Sequence, residues 1–266
     1  MARGSIRWRK RFMKNVSACR CIPAFRRKTS ILSFKPYYNM PDQTDHFQKK
    51  AFQEYEADQW FQRNKSYLDN YKAEDDIVIS TIRNYRVKPE NILEIGSSAG
   101  YRLDGIKKLY PGTNVFGIDP SQQAVDYGTR MYPEVKLSAG TADQMGMYAD
   151  GQFDLVVVGF VFYVIDRPLL LKVIAEIDRV LADKGLLIVV DFFSEKTIKN
   201  NYQHITQFQA YSYKQNYDRI FTETELYQLV FKGSFDHGTK ELDSSDDYYN
   251  KCSVSLLKKD IYAAYK

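Results

Sequence analysis

Two carboxylates and a run of small residues carry the most specific chemistry in this chain. The segment Ile92-Leu-Glu-Ile-Gly-Ser-Ser-Ala-Gly100 is an apolar run that ends in small residues, and Val115-Phe-Gly-Ile-Asp119 is a second apolar run that ends in an acid. Small residues after a strand let a ligand approach the backbone, and an acid at the end of the next strand suits the two hydroxyls of a ribose. The order Glu94-x-Gly96-x-Ser98-x-Gly100 is not the G-x-G-x-x-G of a pyrophosphate loop, and Gly100 is followed by Tyr101 and Arg102 rather than by the Lys-Ser/Thr of a P-loop. Glu94 would repel a phosphate but could hydrogen-bond an ammonium group. These residues predict a nucleoside ligand that is cationic and free of phosphate.

With these motifs the chain resembles the class I S-adenosylmethionine-dependent methyltransferases, across roughly residues 89–192. The landmarks, in order, are ILEIGSSAG, VFGIDP, Gly140-Thr-Ala-Asp143, FDLVVVGFVFYV and RVLADKGLLIVVDF. The resemblance implies S-adenosyl-L-methionine as cofactor. It places the methionine part on Glu94, Gly96, Ser97 and Gly100, the ribose hydroxyls on Asp119 beside Pro120, and the adenine amino group on Asp143. Gly159 and Phe160 would pass close to the sulfonium tail, and a helical cap would bring Arg63, with Trp60 and Asn64, to the methionine carboxylate. Ser98 departs from the pattern, since many members have glycine there, which implies a different loop conformation. No metal site is expected.

Methyl transfer of this kind needs two aligned reactants and little water, so no catalytic residue is obligatory. Candidate catalytic groups are those that follow the strands. Tyr163 could face the acceptor, His204 could serve as a base near neutral pH, and Asp191 is a rival base or orienting group. Each has a plain alternative in aromatic packing, an exposed loop or a strand end. An Asn/Asp-Pro-Pro-aromatic motif is missing after residue 158, which argues against nucleic-acid amino groups as acceptors. Tyr211, Tyr213 and Lys214 could form a polar aromatic wall for a sugar or other polyhydroxylated ring. The leading expectation is transfer to a small-molecule or glycan-precursor acceptor. The alternatives are an RNA or protein methyltransferase that uses a basic arm, a non-catalytic cofactor-binding protein, and, at the level of fold, an NAD-dependent reductase.

The elements that must position these groups read as a doubly wound α/β sheet. Strands are expected at 91–95, 114–118, 135–138, 153–158 and 185–191, with helices at about 101–110, 121–131 and 168–182 between them. Val156-Val-Val158 and Leu186-Leu-Ile-Val-Val190 are continuous apolar runs, as strands covered on both faces require. Asp183-Lys-Gly185 is expected to close the preceding helix. One long helix is expected over 45–70 and a second over 74–85, together forming a cap over 42–88. Residues 89–266 would form the methyltransferase domain, Rossmann-like with seven strands, mostly parallel. It ends in a helix near 222–231 and an antiparallel hairpin of strands around 234–237 and 251–257.

Length and charge bound the remainder. The 266 residues suffice for one α/β unit with appended helices. Eleven of the 38 Lys and Arg residues lie in 1–41, which has no acid, so the rest of the chain carries 27 bases against 33 acids. Residues 1–41 read as a disordered basic extension, a mitochondrial presequence or a basic arm for nucleic acid or membrane. No run of about 18 apolar residues suggests a membrane span. The three cysteines, Cys19, Cys21 and Cys252, cannot form a disulfide framework, and a cytoplasmic setting is expected.

Overall fold

The computed structural model describes residues 46–206, 209–241 and 249–263. The basic segment 1–41, with Cys19 and Cys21, lies outside the described residues. The main sheet has seven strands: β1 (Asn91–Ile95), β2 (Asn114–Asp119), β3 (Lys136–Ala139), β4 (Phe153–Gly159), β5 (Leu181–Phe192), β8 (Tyr227–Asp236) and β9 (Lys251–Lys259). Their order is β3-β2-β1-β4-β5-β9-β8, and only β9 runs against the others. A smaller antiparallel pair, β6 (Ile198–Asn201) and β7 (Tyr211–Lys214), is built from the Tyr-rich stretch after β5.

Alternation within each strand divides the apolar runs between two cores. Leu93, Ile95, Val156 and Val158 face one layer with Val173 and Ile177, whereas Ile92, Leu155 and Val157 face the other with Ile79, Ile82, Leu103 and Ile106. The latter layer holds α3 (Ile77–Asn84) and α4 (Tyr101–Leu109), and the former holds α6 (Leu170–Val180). Glu94 shares the parity of Ile92, so it points at α3 and α4. The chain winds outward from β1 through β2 to β3 and then restarts at β4 on the other side, which opens a crevice at the carboxyl ends of β1 and β4.

Cap residues set the helices beside that crevice. Asp76 accepts hydrogen bonds from Val78 N and Ile79 N at the start of α3, and Ser121 Oγ accepts one from Ala124 N at the start of α5 (Gln122–Met131). The expected long helix is continuous but not uniform. It comprises α1 (Phe47–Ala51), a π-helical turn (Phe52–Glu56) and α2 (Ala57–Asp69).

Three expectations are corrected. The helix near 222–231 is instead a short α7 (Asp218–Thr222), closed by a turn in which Glu225 has φ 62°, and residues from Tyr227 onward form β8. The run Leu229-Val-Phe231 is continuously apolar, which suits a helix or a strand, and pairing with β9 decides its conformation. Residues 183–185 form no turn after the helix, which ends at Val180; they lie within β5, where Lys184 has φ 65° and the register with β4 shifts between Phe153 and Leu155. The short third strand lies one residue later than expected, at 136–139. Among the described residues no helix is long and apolar enough to cross a membrane.

Candidate active site

The loop after β1 is shaped by residues that other chains could not easily supply. Gly96 has φ +76°, and a Cβ there would lie 2.4 Å from Val161 Cγ2 and 3.0 Å from the carbonyl oxygen of Gly159. Glycine is therefore required both by conformation and by the close approach of the β4 loop. Gly100, with φ +83°, opens α4. Ser98 adopts φ 49°, and Phe160, after β4, adopts φ 53°. Left-handed non-glycine residues cost about 1–3 kcal/mol and gather at functional sites. The conformation of Ser98 has a visible consequence, because its N–H donates to Asp119 Oδ2 at 2.8 Å. The serine that departs from the glycine pattern thus tethers the loop to the acid at the end of β2.

Asp119 is buried, and its other oxygen accepts from Ser121 N, just beyond Pro120, at 2.9 Å. Burial raises its carboxyl to about 6 against the pull of these two N–H groups. A carboxylate has about four lone-pair sites, so two remain for a diol. Asp58 of α2 accepts from Ser121 Oγ at 2.6 Å and Gln123 N at 3.2 Å, and so links the N-terminal helix to the start of α5.

Glu94 is 2% exposed. Arg102 bridges it to Asp76, donating to Glu94 Oε1 from Nη1 and to Asp76 Oδ2 from Nε at 2.9 Å. Burial is the main influence on Glu94 and lifts its carboxyl to about 7, with Arg102 acting against the rise. Its second oxygen, Oε2, is buried without a hydrogen-bond partner. Such an atom is costly unless a ligand completes it. Gly159 leaves the space beside it, since a Cβ on Gly159 would lie 3.0 Å from Arg102 Nη1 and 3.5 Å from Glu94 Oε1. The unpartnered oxygen and the small residues Gly96 and Gly159 thus lie on the same side of the sheet end, and Ser97 of the loop is also buried.

The remaining sequence candidates divide into three groups. Asp143 is buried and receives Lys49 Nζ from α1 at 2.8 Å, with Lys172 at 3.6 Å. Burial works against its ionisation, but the Lys49 hydrogen bond prevails and the carboxyl lies below its usual range. Its acceptor capacity is therefore shared with the N-terminal helix. Arg63, expected at a methionine carboxylate, donates instead from Nη2 to Glu56 Oε1 at 2.5 Å. Trp60 and Asn64 bond to each other, Asn64 Nδ2 to the Trp60 carbonyl at 2.8 Å.

On the acceptor side, Asp191 accepts from its neighbour Phe192 N at 2.7 Å and from Tyr163 N at 3.3 Å, and burial raises it to about 7. Its carboxylate holds the loop after β4 in place. The Tyr163 ring lies 5.1 Å from Phe192 and 6.5 Å from Tyr202. His204 is exposed in the turn after β6, its ring 5.5 Å from Tyr202. The wall of Tyr211, Tyr213 and Lys214 belongs to β7, with Arg167 over the Tyr213 ring and Lys214 buried.

Sequence reasoning missed Glu56, Tyr202 and His237. Glu56 is fully buried, and its Oε1 accepts from Tyr202 Oη at 2.8 Å as well as from Arg63. His237 packs against Phe160 and Phe192, each ring 5.2 Å away, and burial holds it down at about 4. An acid on a helix or a histidine in the turn after a strand gives no periodic signal, so nothing local along the chain singles these out.

A methyltransferase domain model matches residues 93–189, the segment that runs from β1 to β5. No curated protein matches the chain significantly. A methyltransferase from Methanosarcina mazei is 16% identical with a TM-score of 0.54, covering 68% of this chain and 97% of its own. One from Clostridium acetobutylicum is 11% identical with a TM-score of 0.52, covering 74% and 96%. The 1,6-didemethyltoxoflavin-N1-methyltransferase of Burkholderia thailandensis, solved with S-adenosylhomocysteine, is 13% identical with a TM-score of 0.51, covering 77% and 91%. Residues 93–189 thus carry a methyltransferase domain, and the sheet order and glycine loop around it are consistent with the class I S-adenosylmethionine-dependent methyltransferases. S-adenosylmethionine is the cofactor of that domain.

Proposed function

We propose that the protein transfers a methyl group from S-adenosylmethionine to a small-molecule acceptor. The observation that carries this reading is the unpartnered Glu94 Oε2, buried between Arg102 and the small residues Gly96 and Gly159 on the same crevice edge as Asp119. When bound, the cofactor supplies an electrophilic methyl on a positively charged sulfur. Glu94 would hold the amino group of the methionine tail, the loop Gly96-Ser97 would line that tail, and Gly100 sets the turn into α4. Asp119 would take the ribose hydroxyls with the lone pairs left free by Ser98 and Ser121.

Asp143 would meet the adenine amino group alongside Lys49, and Gly159 and Phe160 would border the sulfur. Tyr163, with Asp191 pinning its loop, would orient the acceptor and exclude water, which is the main demand of an in-line displacement. His204 remains a candidate base at the rim. The small-molecule reading is supported by the aromatic enclosure of Tyr163, Phe192 and Tyr202 around the acceptor side, a surface unlike a phosphate-binding groove. Titration calorimetry with S-adenosylhomocysteine and with NAD tests the cofactor. Binding of the first alone is expected, and binding of NAD would reject the reading. A screen of metabolite pools with labelled methyl donor then identifies the acceptor.

A further inference from the structure

Glu94 is not the sole buried carboxylate with an unused oxygen. Glu56 ends the π-helical turn of the N-terminal helix and is 0% exposed; Oε1 holds Arg63 and Tyr202, while Oε2 is buried with no hydrogen-bond partner. π-helical turns displace the following side chains from regular helical positions and recur at functional sites. A buried, unsatisfied carboxylate oxygen is expensive and calls for a donor.

The surroundings place this oxygen on the acceptor side. Tyr202 joins Glu56 to the aromatic walls, with Phe52 5.3 Å and Tyr163 6.5 Å from its ring, and Tyr163 follows β4 at the carboxyl end of the sheet. Arg63 stands at the solvent side, with its side chain 37% exposed, and its planar fork has further N–H donors beyond the one used on Glu56.

The pair therefore offers a buried acceptor oxygen and, nearer solvent, a set of donors, with no net charge. A ligand that is only a cation or only an anion would leave unbalanced charge in a poorly solvated site, whereas a zwitterion satisfies both ends and keeps the sum at zero. We propose that Glu56 and Arg63 form the acceptor subsite and that it takes an α-amino acid, the ammonium on Glu56 Oε2 and the carboxylate on the Arg63 guanidinium. This rests on the methyltransferase reading above. The cofactor's own amino-acid tail is the competing occupant, but Glu94 supplies a separate unpartnered oxygen beside the glycine loop for it.

The test uses the full chain saturated with S-adenosylhomocysteine and titrates each common amino acid at millimolar concentration, with binding read by saturation-transfer NMR. One or more amino acids should bind, and the corresponding decarboxylated amine and deaminated acid should each bind about tenfold or more weakly, as expected for loss of one charge-assisted hydrogen bond. Glu56→Gln should weaken the amino acid by a similar factor and leave S-adenosylhomocysteine affinity unchanged. The wild-type comparison needs no variant, so a folding defect in the glutamine protein cannot hide the answer.

Absence of any amino-acid binding to the loaded protein, or equal binding of the amine or the acid alone, would overturn the assignment. A fall in S-adenosylhomocysteine affinity in Glu56→Gln would give the pair to the cofactor and overturn it equally. If the wild type fails to bind S-adenosylhomocysteine, the methyltransferase reading itself falls, and this assignment with it.

Discussion

At Glu94 and Asp119 burial and ligand binding pull the same carboxylates in opposite directions. Burial raises Glu94 to about 7, Asp119 to about 6 and Asp191 to about 7, above the ordinary carboxylate range. A raised carboxyl contributes stability that is full below its unfolded value and is lost as pH rises through its folded value. The ligand-free protein should therefore lose thermal stability between about pH 5 and pH 8, and Glu94→Gln should flatten that slope and raise Tm at pH 8. Affinity for the cationic cofactor should change in the reverse sense, rising over the same pH window as Glu94 ionises. Glu94→Gln should lower affinity by about tenfold or more at pH 8. Calorimetry and differential scanning across pH measure the two trends, and a parallel rise of both would refute the assigned role. Gly96→Ala adds a Cβ 2.4 Å from Val161 at φ +76°, and is expected to abolish measurable cofactor binding and cost about 1–2 kcal/mol of stability.

The N-terminal helix is an element whose attachment, rather than its propensity, decides its function. Gln48 is buried, and its amide closes a three-bond clamp: Nε2 donates to the Val164 carbonyl at 2.5 Å and the Tyr211 carbonyl at 2.8 Å, and Oε1 accepts from Tyr211 N at 2.8 Å. Lys49 N adds a bond to Asp166 Oδ2 at 2.8 Å. One glutamine thus joins α1 to the loop after β4 and to β7, the three parts that enclose the acceptor side. Gln48→Ala leaves two backbone carbonyls and one N–H without these partners, a local cost of about 2–4 kcal/mol. Hydrogen exchange should show lost protection at residues 47–51 and 211–214 while β1, β4 and β5 stay protected; uniform loss would mean that the clamp supports the whole fold. A second element-level contact lies in α5, where a Cβ on Gly128 would fall 2.1 Å from the Ala99 carbonyl oxygen. Gly128→Ala should force α5 away from the cofactor loop and weaken S-adenosylhomocysteine binding in calorimetry without touching any proposed ligand-contacting side chain.

For the whole molecule, charge is divided along the chain: every charged side chain in residues 1–41 is a Lys or Arg, and the remainder carries more acids than bases. If the acceptor is a small molecule, removing residues 1–41 should leave turnover insensitive to salt between 50 and 200 mM, about the range over which phosphate contacts weaken binding by orders of magnitude. Steep salt dependence that disappears on truncation would favour a nucleic-acid substrate. The sequence by itself determined the parallel sheet and the placing of the glycine loop and Asp119 at the ends of β1 and β2, because continuous apolar runs, small residues at a strand end and an acid ending the next strand are local patterns with few alternative structures. It misplaced α7 and β8, since Tyr227–Phe231 is apolar at a spacing that suits either form and only the β9 ladder selects the strand. It expected Arg63 at the cofactor, and the structure places one of its donors on Glu56. Arg63 pairs within its own helix, with Glu56 seven residues earlier; tertiary structure alone decided that Asp143 meets Lys49 and that Asp191 holds a loop. Those outcomes depend on which distant segments meet across the crevice, and a pairing between residues far apart in sequence leaves no periodic trace along the chain.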